Sequence, residues 1–350
     1  MSRASVRQPA GLHHLCIMRR THRANVNLPR RRFLHLAVGA GSLPFASHVA
    51  RSQTYPSRPV RIVVGFPAGG AVDVAARLIG QCLSERLGQT FVIENRPGAA
   101  GNIATEAVLR AQPDGHTLLL VGAFNAINAT LYDRLHFNFV RDFAPVGSIN
   151  RNPLALLVNP SGQAKSVPEL VRYAKESPGK LNMASAGIGT PQHVAGELFK
   201  MMAGVDMLRV PYPGSAPALT ALLGGQVDVT FETLLASLEH IKTGKVRALA
   251  VTTASRSDIL PDIPTISDFL PGYEATGWSG VGAPRDTSIE IVLKLNREIN
   301  ACLADPAIRS RLAALGGSAY ATSPAEFAKF ISDETEKWAK VIRFAGIKAE

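Results

Sequence analysis

Short apolar runs alternate with segments of helical periodicity along most of the chain. Residues 62–64 form a β-branched run that is typical of a strand buried on both faces. Val74, Leu78 and Ile79 follow at helical spacing. The alternation predicts strands at residues 60–65, 90–94, 117–121, 153–158, 181–184, 206–210, 227–231 and 246–252. It predicts helices at about residues 72–87, 101–111, 166–176, 191–203, 215–224 and 234–243. Strands that alternate with helices indicate an α/β fold whose parallel sheets are covered on both faces.

Two junctions between a strand and a helix carry the small residues that a bound anion favours. In the first, residues 65–70 form a glycine-containing loop and Asp73 lies in the first helical turn. In the second, residues 185–189 form the loop, Thr190 is a natural N-cap and Pro191 suits the first turn. Backbone N–H groups and the helix dipole at such junctions attract carboxylate or phosphate. Because ligands of α/β sheets bind beyond the carboxyl ends of the strands, both junctions are candidate ligand loops.

Sequence motifs for nucleotide binding and for hydrolysis are absent. No Gly-Lys-Ser/Thr follows either loop, and no Gly-x-Gly-x-x-Gly precedes a ribose-binding acid, which disfavours nucleotides. Gly-x-Ser-x-Gly, His-Glu-x-x-His and Cys-x-x-Cys are also absent. An enzyme remains the alternative hypothesis, with Ser185 and His193 as nucleophile and base, or Asp73 and Asp228 as an acid–base pair. The first pair lacks an orienting acid, and no sequence feature brings the second pair together.

The first 52 residues have the features of an export signal. They contain nine arginines and no Asp, Glu or Lys. The segment RRRFL at residues 30–34 precedes a weakly apolar stretch, and Ala50-Arg51-Ser52 offers a small-x-small cleavage site. The arginines before Phe-Leu resemble a twin-arginine signal, with an ordinary secretory signal as the alternative. Either Met1 or Met18 fits as the first residue.

Removal of this signal changes the charge of the protein. The whole chain carries +11, but without the nine arginines 29 basic residues face 27 acidic ones. The high pI therefore belongs to the signal, and we expect no nucleic-acid partner. Five of the nine histidines also lie in the signal, so we expect no metal site. Cys82 and Cys302 lie in helical patterns, and we interpret them as small buried apolar side chains, with a disulfide as the alternative.

Long segments of the chain resemble the Bug proteins, which are periplasmic solute receptors of tripartite tricarboxylate transporters. The similarity begins with VRIVVGFPAGGAVDVAARLIG and continues through LNMASAGIGTPQHVAGELFK, VPYPGSAPALTALLGGQVDVTFE and KVRALAVTTASRSDILPDIPTISDF. It covers residues 55–350 and implies a two-lobed periplasmic-binding-protein (Venus flytrap) fold with a ligand cleft between the lobes. Lobe 1 would comprise residues 54–153 and 280–350, and lobe 2 residues 154–279, with crossings near Asn152-Pro153 and Gly277-Trp278.

The resemblance also implies what the protein does. It implies a monomeric periplasmic receptor, without enzymatic activity or cofactor, that captures a small carboxylate such as an amino acid, a di- or tricarboxylate or an aromatic acid. Its partners would be the membrane subunits of a transporter or a sensor ectodomain. The positions that match the family's ligand site are Phe66, Gly69, Gly70, Asp73, Gly122, Ala123, Asn128, Ser185, Gly187, Thr190, His193 and Glu232.

Several of these positions leave alternatives open. Asp73 could organise the ligand loop or simply interact with the helix dipole, and His193 could contact the ligand or pack within its helix. Phe124, where relatives often carry Ser or Thr, would favour an aromatic or branched acid or would only pack beneath the loop. Glu232 stands where the family has Asp, so its carboxylate could face a ligand ammonium group or point elsewhere. Since these loops contain no Lys or Arg, we expect backbone N–H groups, helix dipoles and water to hold the carboxylate.

Overall fold

The computed structural model describes residues 55–349, and the export signal predicted for residues 1–52 lies outside them. The strands are β1 (Val60–Val64), β2 (Phe91–Asn95), β3 (Thr117–Gly122), β4 (Phe143–Val158), β5 (Asn182–Ala186), β6 (Leu208–Tyr212), β7 (Val229–Thr233), β8 (Arg247–Val251), β9 (Thr276–Pro284) and β10 (Ser318–Ala319). The helices are α1 (Ala71–Leu87), α2 (Asn102–Leu109), α3 (Ala123–Leu131), α4 (Val167–Glu176), α5 (Pro191–Ala203), α6 (Ser215–Leu223), α7 (Leu234–Lys242), α8 (Ile289–Ala304), α9 (Pro306–Ala314) and α10 (Pro324–Ala345). Within residues 55–349, no helix has both the length and the apolar character needed to cross a membrane.

The strands are hydrogen-bonded in the order β2-β1-β3-β9-β4-β7-β5-β6, and β8 and β10 pair with β4 off this path. β1 is parallel to β2 and β3, and β5 is parallel to β6 and β7. In the centre, however, β9 is antiparallel to β3 and β4, and β4 is antiparallel to β7 and β8. The expectation of purely parallel sheets is therefore wrong for the central strands.

The long strand β4 changes partners part-way along its length. Up to Pro153, which lies opposite Thr276, it pairs with β9. From Leu154, which lies opposite Thr233, it pairs with β7 and β8. We call β1, β2, β3, β10, residues 143–153 of β4 and residues 280–284 of β9 the first half, and β5–β8 with the rest of β4 and β9 the second half. This is the two-lobed periplasmic-binding-protein architecture that the sequence resemblance implied.

Each half of the sheet has an apolar core of its own, and a third buried cluster combines side chains of β3 and α3 with side chains of β5 and β7. In the first half, Ile62 of β1 and Ile79 of α1 are fully buried in one cluster. In the second half, Leu157 of β4 and Leu222 of α6 are fully buried in another. Burial of each such side chain stabilises the fold by about 1.5–3 kcal/mol. These cores hold rigid the strand ends that carry the ligand loops.

Helix α10 packs against elements of both halves. It begins at a capping box in which Ser323 Oγ accepts from Glu326 N at 3.2 Å and Glu326 Oε2 accepts from Ser323 N at 2.8 Å. Phe327, Ile331 and Trp338 recur at helical spacing on its buried face. This face packs against α3 of the first half and α5 of the second. The helix therefore links the two halves outside the sheet.

Cys82 and Cys302 form a disulfide between α1 and α8. The interpretation of the two residues as unbonded apolar side chains is wrong. The two helices pack against each other on the first half, which brings the cysteine Cα atoms to 6.1 Å. Since 220 residues separate the two cysteines, the bond joins the beginning and the end of the described chain.

Candidate ligand site

Asp73 organises the first ligand loop. It is 1% exposed, and its two oxygens accept four hydrogen bonds: from Gly69 N (2.9 Å), Asn95 Nδ2 (2.8 Å), and Arg77 Nε and Nη2 (2.8 and 3.0 Å). Asn95 Nδ2 also donates to Phe66 O at 3.0 Å. Burial alone would raise the pKa of Asp73, but the hydrogen bonds and the Arg77 charge hold it below its usual value. The carboxylate is thus committed to shaping the loop.

Residues 123–128, where the sequence pattern predicted no helix, form the first turns of helix α3. Asn125 acts as the cap, because its Oδ1 accepts from Gly122 N at 2.9 Å while its Nδ2 donates to Thr105 Oγ1 at 2.9 Å. Phe124 packs over Gly122, where a Cβ would lie 2.6 Å from its ring. The Phe124 ring also meets Phe66 edge to face at 4.7 Å. These two aromatic rings form an apolar wall beside the start of α3.

Asn128 supports a strained turn next to that wall. It is 2% exposed, and its Nδ2 donates to Ala100 O (2.9 Å) and to Asn102 Oδ1 (3.0 Å). Ala99 and Ala100 adopt φ values of 45° and 50°. This left-handed backbone costs an ordinary residue about 1–2 kcal/mol. The turn is therefore held in place by its surroundings, and Asn128 supplies two of the hydrogen bonds.

The second ligand loop is fastened at the start of α5. Thr190 is the N-cap, with its Oγ1 accepting from His193 N at 3.2 Å and donating to Ala186 O at 2.7 Å. His193 Nδ1 accepts the Gly189 N–H at 3.2 Å. Gly189 has φ 69°, and a Cβ there would lie 2.4 Å from Leu131 Cδ2 of α3. The loop of the second half therefore rests directly on a helix of the first half.

Between the two loops lies a cavity of about 280 Å³. Its lining residues are Phe66, Val72, Ala100, Ala123, Phe124, Asn128, Asn152, Leu154, Ile188, Gly189, Thr190, Pro191, Gln192, Thr233, Gly277 and Trp278. Within the described chain, none of the side chains lining it carries a charge. The starts of four helices reach its surface, through Val72 in the first turn of α1, Ala123 at the start of α3, and the N-caps Thr190 of α5 and Thr233 of α7. The positive ends of these helix dipoles therefore lie at the cavity wall.

Four of the predicted site residues line this cavity, namely Phe66, Ala123, Asn128 and Thr190. The other eight, Gly69, Gly70, Asp73, Gly122, Ser185, Gly187, His193 and Glu232, lie outside its lining. Gln192, Asn152 and Trp278 also line the cavity and were not predicted from the sequence. The signal for the last two was the pair of predicted crossings, because the cavity lies where β4 and β9 pass between the halves.

Glu232 accepts hydrogen bonds from two residues that line the cavity, Gln192 and Thr233. It is fully buried, and its Oε1 accepts from Ser215 Oγ (2.9 Å), Thr233 N (2.7 Å) and Gln192 Nε2 (3.3 Å). Its Oε2 has no hydrogen-bond partner within residues 55–349. Of the alternatives raised from the sequence, the structure shows this carboxylate turned towards protein donors and outside the cavity lining.

Trp278 is positioned by the C-terminal helix. Its Nε1 donates to Glu334 Oε2 at 3.0 Å, and Trp338 Nε1 donates to the same oxygen at 3.0 Å. Lys337 pairs with the other oxygen of Glu334. The carboxylate is 6% exposed, so these hydrogen bonds form in a dry environment. One face of the cavity is thus fixed by α10.

The sequence of residues 75–347 matches the family described as "Tripartite tricarboxylate transporter family receptor". The chain belongs to this receptor family. The receptor is similar to the solved structure of R. palustris Rpa4515 with adipate, at 40% identity and a TM-score of 0.70, over 84% of this chain and 99% of that one. It is similar to the periplasmic binding protein BugD at 35% identity and a TM-score of 0.67, over 85% of this chain and 100% of that one. It is also similar to MatC from Rhodopseudomonas palustris with bound malate, at 33% identity and a TM-score of 0.67, over 82% of this chain and 100% of that one.

These similarities confirm the recognition and the fold class predicted from the sequence. The family consists of solute-binding receptors, and its solved members include a periplasmic binding protein. Within residues 55–349 of this receptor, no group of three or more His, Cys, Asp or Glu side chains is arranged to hold a metal ion.

Proposed function

We propose that this receptor captures a small carboxylate in the cavity between the two halves of the sheet. The observation that carries the proposal is the convergence of four helix N-termini on a cavity whose lining, within the described residues, contains no charged side chain. Such N-termini stabilise an anion without a salt bridge. The carboxylates in the solved relatives, adipate in Rpa4515 and malate in MatC, support the same ligand class.

The remaining wall suits an apolar carbon skeleton. Phe66, Phe124, Trp278, Leu154 and Ile188 surround the space beside the helix N-termini. An aliphatic or aromatic acid would bury its chain or ring against these side chains, at about 25 cal/mol per Å² of apolar surface. Among small carboxylates, we therefore propose acids with an apolar body, bound through the carboxylate at the helix N-termini.

We propose closure about the crossing of β4 and β9, with residues 54–153 and 280–350 as one lobe and residues 154–279 as the other. The first ligand loop and α3 belong to one lobe, and the loop at residues 187–190 belongs to the other. A ligand between them favours the closed form because it contacts both lobes. The closed receptor would act in the periplasm as a monomer that docks on the membrane subunits of a transporter or on a sensor ectodomain.

The enzyme alternative receives no support from the geometry. Ser185 Oγ is buried and has no hydrogen-bond partner within the described chain, and His193 Nδ1 is occupied by Gly189 N–H. Asp73 is committed to its own loop, while Asp228 Oδ2 accepts from Asn182 N at 2.8 Å. Neither proposed pair is arranged for proton transfer. We therefore propose a receptor without enzymatic activity.

The ligand class is tested by thermal unfolding of the receptor with a panel of acids that includes adipate, malate, glutamate, citrate and benzoate. A ligand at about 100 times its Kd adds about 2.7 kcal/mol to the free energy of unfolding. Val72→Asp should abolish that gain, since it places a carboxylate at the cavity surface. Ala71→Asp is the matched control, because Ala71 begins the same helix but is exposed and lies outside the cavity lining. The proposal would be refuted if the acids stabilised both variants equally. It would also be refuted if no acid stabilised the unmodified receptor.

A further inference from the structure

A second cavity, of about 480 Å³, lies between α5, β6 and the segment that follows α10. The linings of the two cavities share Ile188 but no other residue of the described chain. Unlike the first, the second cavity is rich in charge. Its charged lining residues are Lys200, Arg209, Lys348, Glu197 and Asp206.

His193 lies in the wall of this second cavity and is 1% exposed. Because its Nδ1 accepts the Gly189 N–H, the proton of the neutral ring is on Nε2. Nε2 is buried and has no hydrogen-bond partner among residues 55–349. A buried N–H without an acceptor costs free energy, and an anion in the cavity would satisfy it.

Arg209 supplies a second set of unsatisfied donors from the edge strand β6. Its Nε and Nη2 atoms are buried and have no partner in the described part of the chain. These two groups form one side of the guanidinium, which binds the oxygens of carboxylate or phosphate as a fork. Lys200, by contrast, is already paired with Glu197, with 3.0 Å between Nζ and Oε2. Arg209 and His193 therefore supply the buried donors of the cavity that have no partner within the described residues.

We propose that this second cavity binds a small oxyanion such as inorganic phosphate, held by Arg209 Nε and Nη2 and by His193 Nε2. The site has a consequence for the first cavity, because Nδ1 of the same imidazole holds Gly189 in the ligand loop. An anion that fixes the ring also fixes this loop, so phosphate raises the affinity for the carboxylate. This coupling rests on the proposed function, whereas anion binding itself does not.

The test is phosphate titration of the full-length receptor at constant ionic strength, with chloride as the balancing anion. The unfolding temperature should rise with phosphate concentration and then reach a plateau. Arg209→Gln should weaken phosphate binding at least about tenfold. Arg172→Gln is the matched control, because Arg172 is an exposed arginine on α4 outside this cavity. In the unmodified receptor, the imidazole nitrogen NMR signal of His193, assigned with His193→Gln, should move with the same saturation.

The outcomes separate this site from the carboxylate site. A saturable phosphate effect that persists in Val72→Asp, but is lost in Arg209→Gln, supports the second site even when no carboxylate binds. Carboxylate binding without any saturable phosphate effect overturns the inference and leaves the proposed function standing. A phosphate effect of equal size in Arg209→Gln, or an unmoved His193 signal, also overturns it.

Discussion

The neutral imidazole of His193 should make the receptor sensitive to mild acid. Burial, together with the positive charges of Arg209 and Lys200, lowers the pKa of His193 from 6.5 to about 4. Glu197, Asp206 and Lys348 also line the cavity that this ring faces. In the unfolded chain none of these surroundings persists, so the ring takes up a proton near its ordinary pKa. Below that pH the unfolded state binds more protons than the folded state.

The size of the effect follows from the shift in pKa. The contribution of His193 to the free energy of unfolding is constant above about pH 6.5 and falls as the pH decreases towards about 4. Below that value this group causes no further loss. A difference of about 2.5 pKa units, at 1.36 kcal/mol each, gives a loss of about 3 kcal/mol. Protonation of Nδ1 would also remove the acceptor for Gly189 N–H, so carboxylate affinity should fall over the lower part of the same range.

The assay is urea unfolding of the receptor and of His193→Gln at several pH values between about 7 and about 4. The variant should lose about 3 kcal/mol less than the unmodified protein across this range. His136→Gln is the control, since His136 is exposed, and it should follow the unmodified protein. Parallel stability curves for the receptor and His193→Gln would refute the reasoning, because another group would then carry the acid sensitivity.

Three further variants test the loops and the disulfide. Asp73→Ala removes the acceptor of four hydrogen bonds that shape the first loop, so carboxylate binding measured by calorimetry should weaken about tenfold or more while the circular dichroism spectrum is kept. Replacing both Cys82 and Cys302 by Ser should lower the free energy of unfolding by about 5 kcal/mol, the loop-entropy value for a span of 220 residues. Gly189→Ala places a side chain at a φ of 69° and its Cβ 2.4 Å from Leu131 Cδ2. It should weaken carboxylate binding about tenfold, because the loop would be held away from α3.

Controls for these variants come from the same chain. Gly204→Ala also places a side chain at a positive φ, but there no atom would contact the added Cβ, so binding should be unchanged. Unchanged affinity in Asp73→Ala would reduce that residue to a helix-start carboxylate. A double serine variant as stable as the unmodified protein under oxidising conditions would contradict the disulfide. Normal binding by Gly189→Ala would show that the loop does not need its present contact with α3.

Local rules account for what the sequence predicted well. Helix α5 begins at Pro191 and ends at Ala203, as predicted, because Thr190 caps its start and Gly204 adopts the left-handed conformation after its end. Helix α3 was not predicted, because its N-cap is Gly122, which has no side chain, and the capping oxygen belongs to Asn125 inside the helix. Residues 123–128 contain none of the usual N-cap signals at the helix start, and only the fold shows the hydrogen bond from Gly122 N to Asn125 Oδ1.

Long-range features were beyond reach of the same rules. Neither cysteine carries a local sign that α1 and α8 are neighbours, so the disulfide could not be preferred over two buried thiols. The cavity wall gave the same difficulty, since Asn152 and Gly277 lie opposite each other on β4 and β9 but far apart along the chain. The central antiparallel strands were also missed, because buried parallel and antiparallel strands share the same apolar pattern.

The carboxylate that Trp278 and Trp338 share gives the receptor an optical property of its own. The chain contains two tryptophans, and both indole N–H groups donate to Glu334. Trp278 lines the cavity and Trp338 lies in the core, so their combined emission reports on the cavity and on helix α10 together. Replacement of Trp338 by Phe would leave Trp278, at the ligand site, as the only tryptophan of the chain. The protein could then serve as a label-free sensor whose tryptophan emission wavelength follows the occupancy of the cavity.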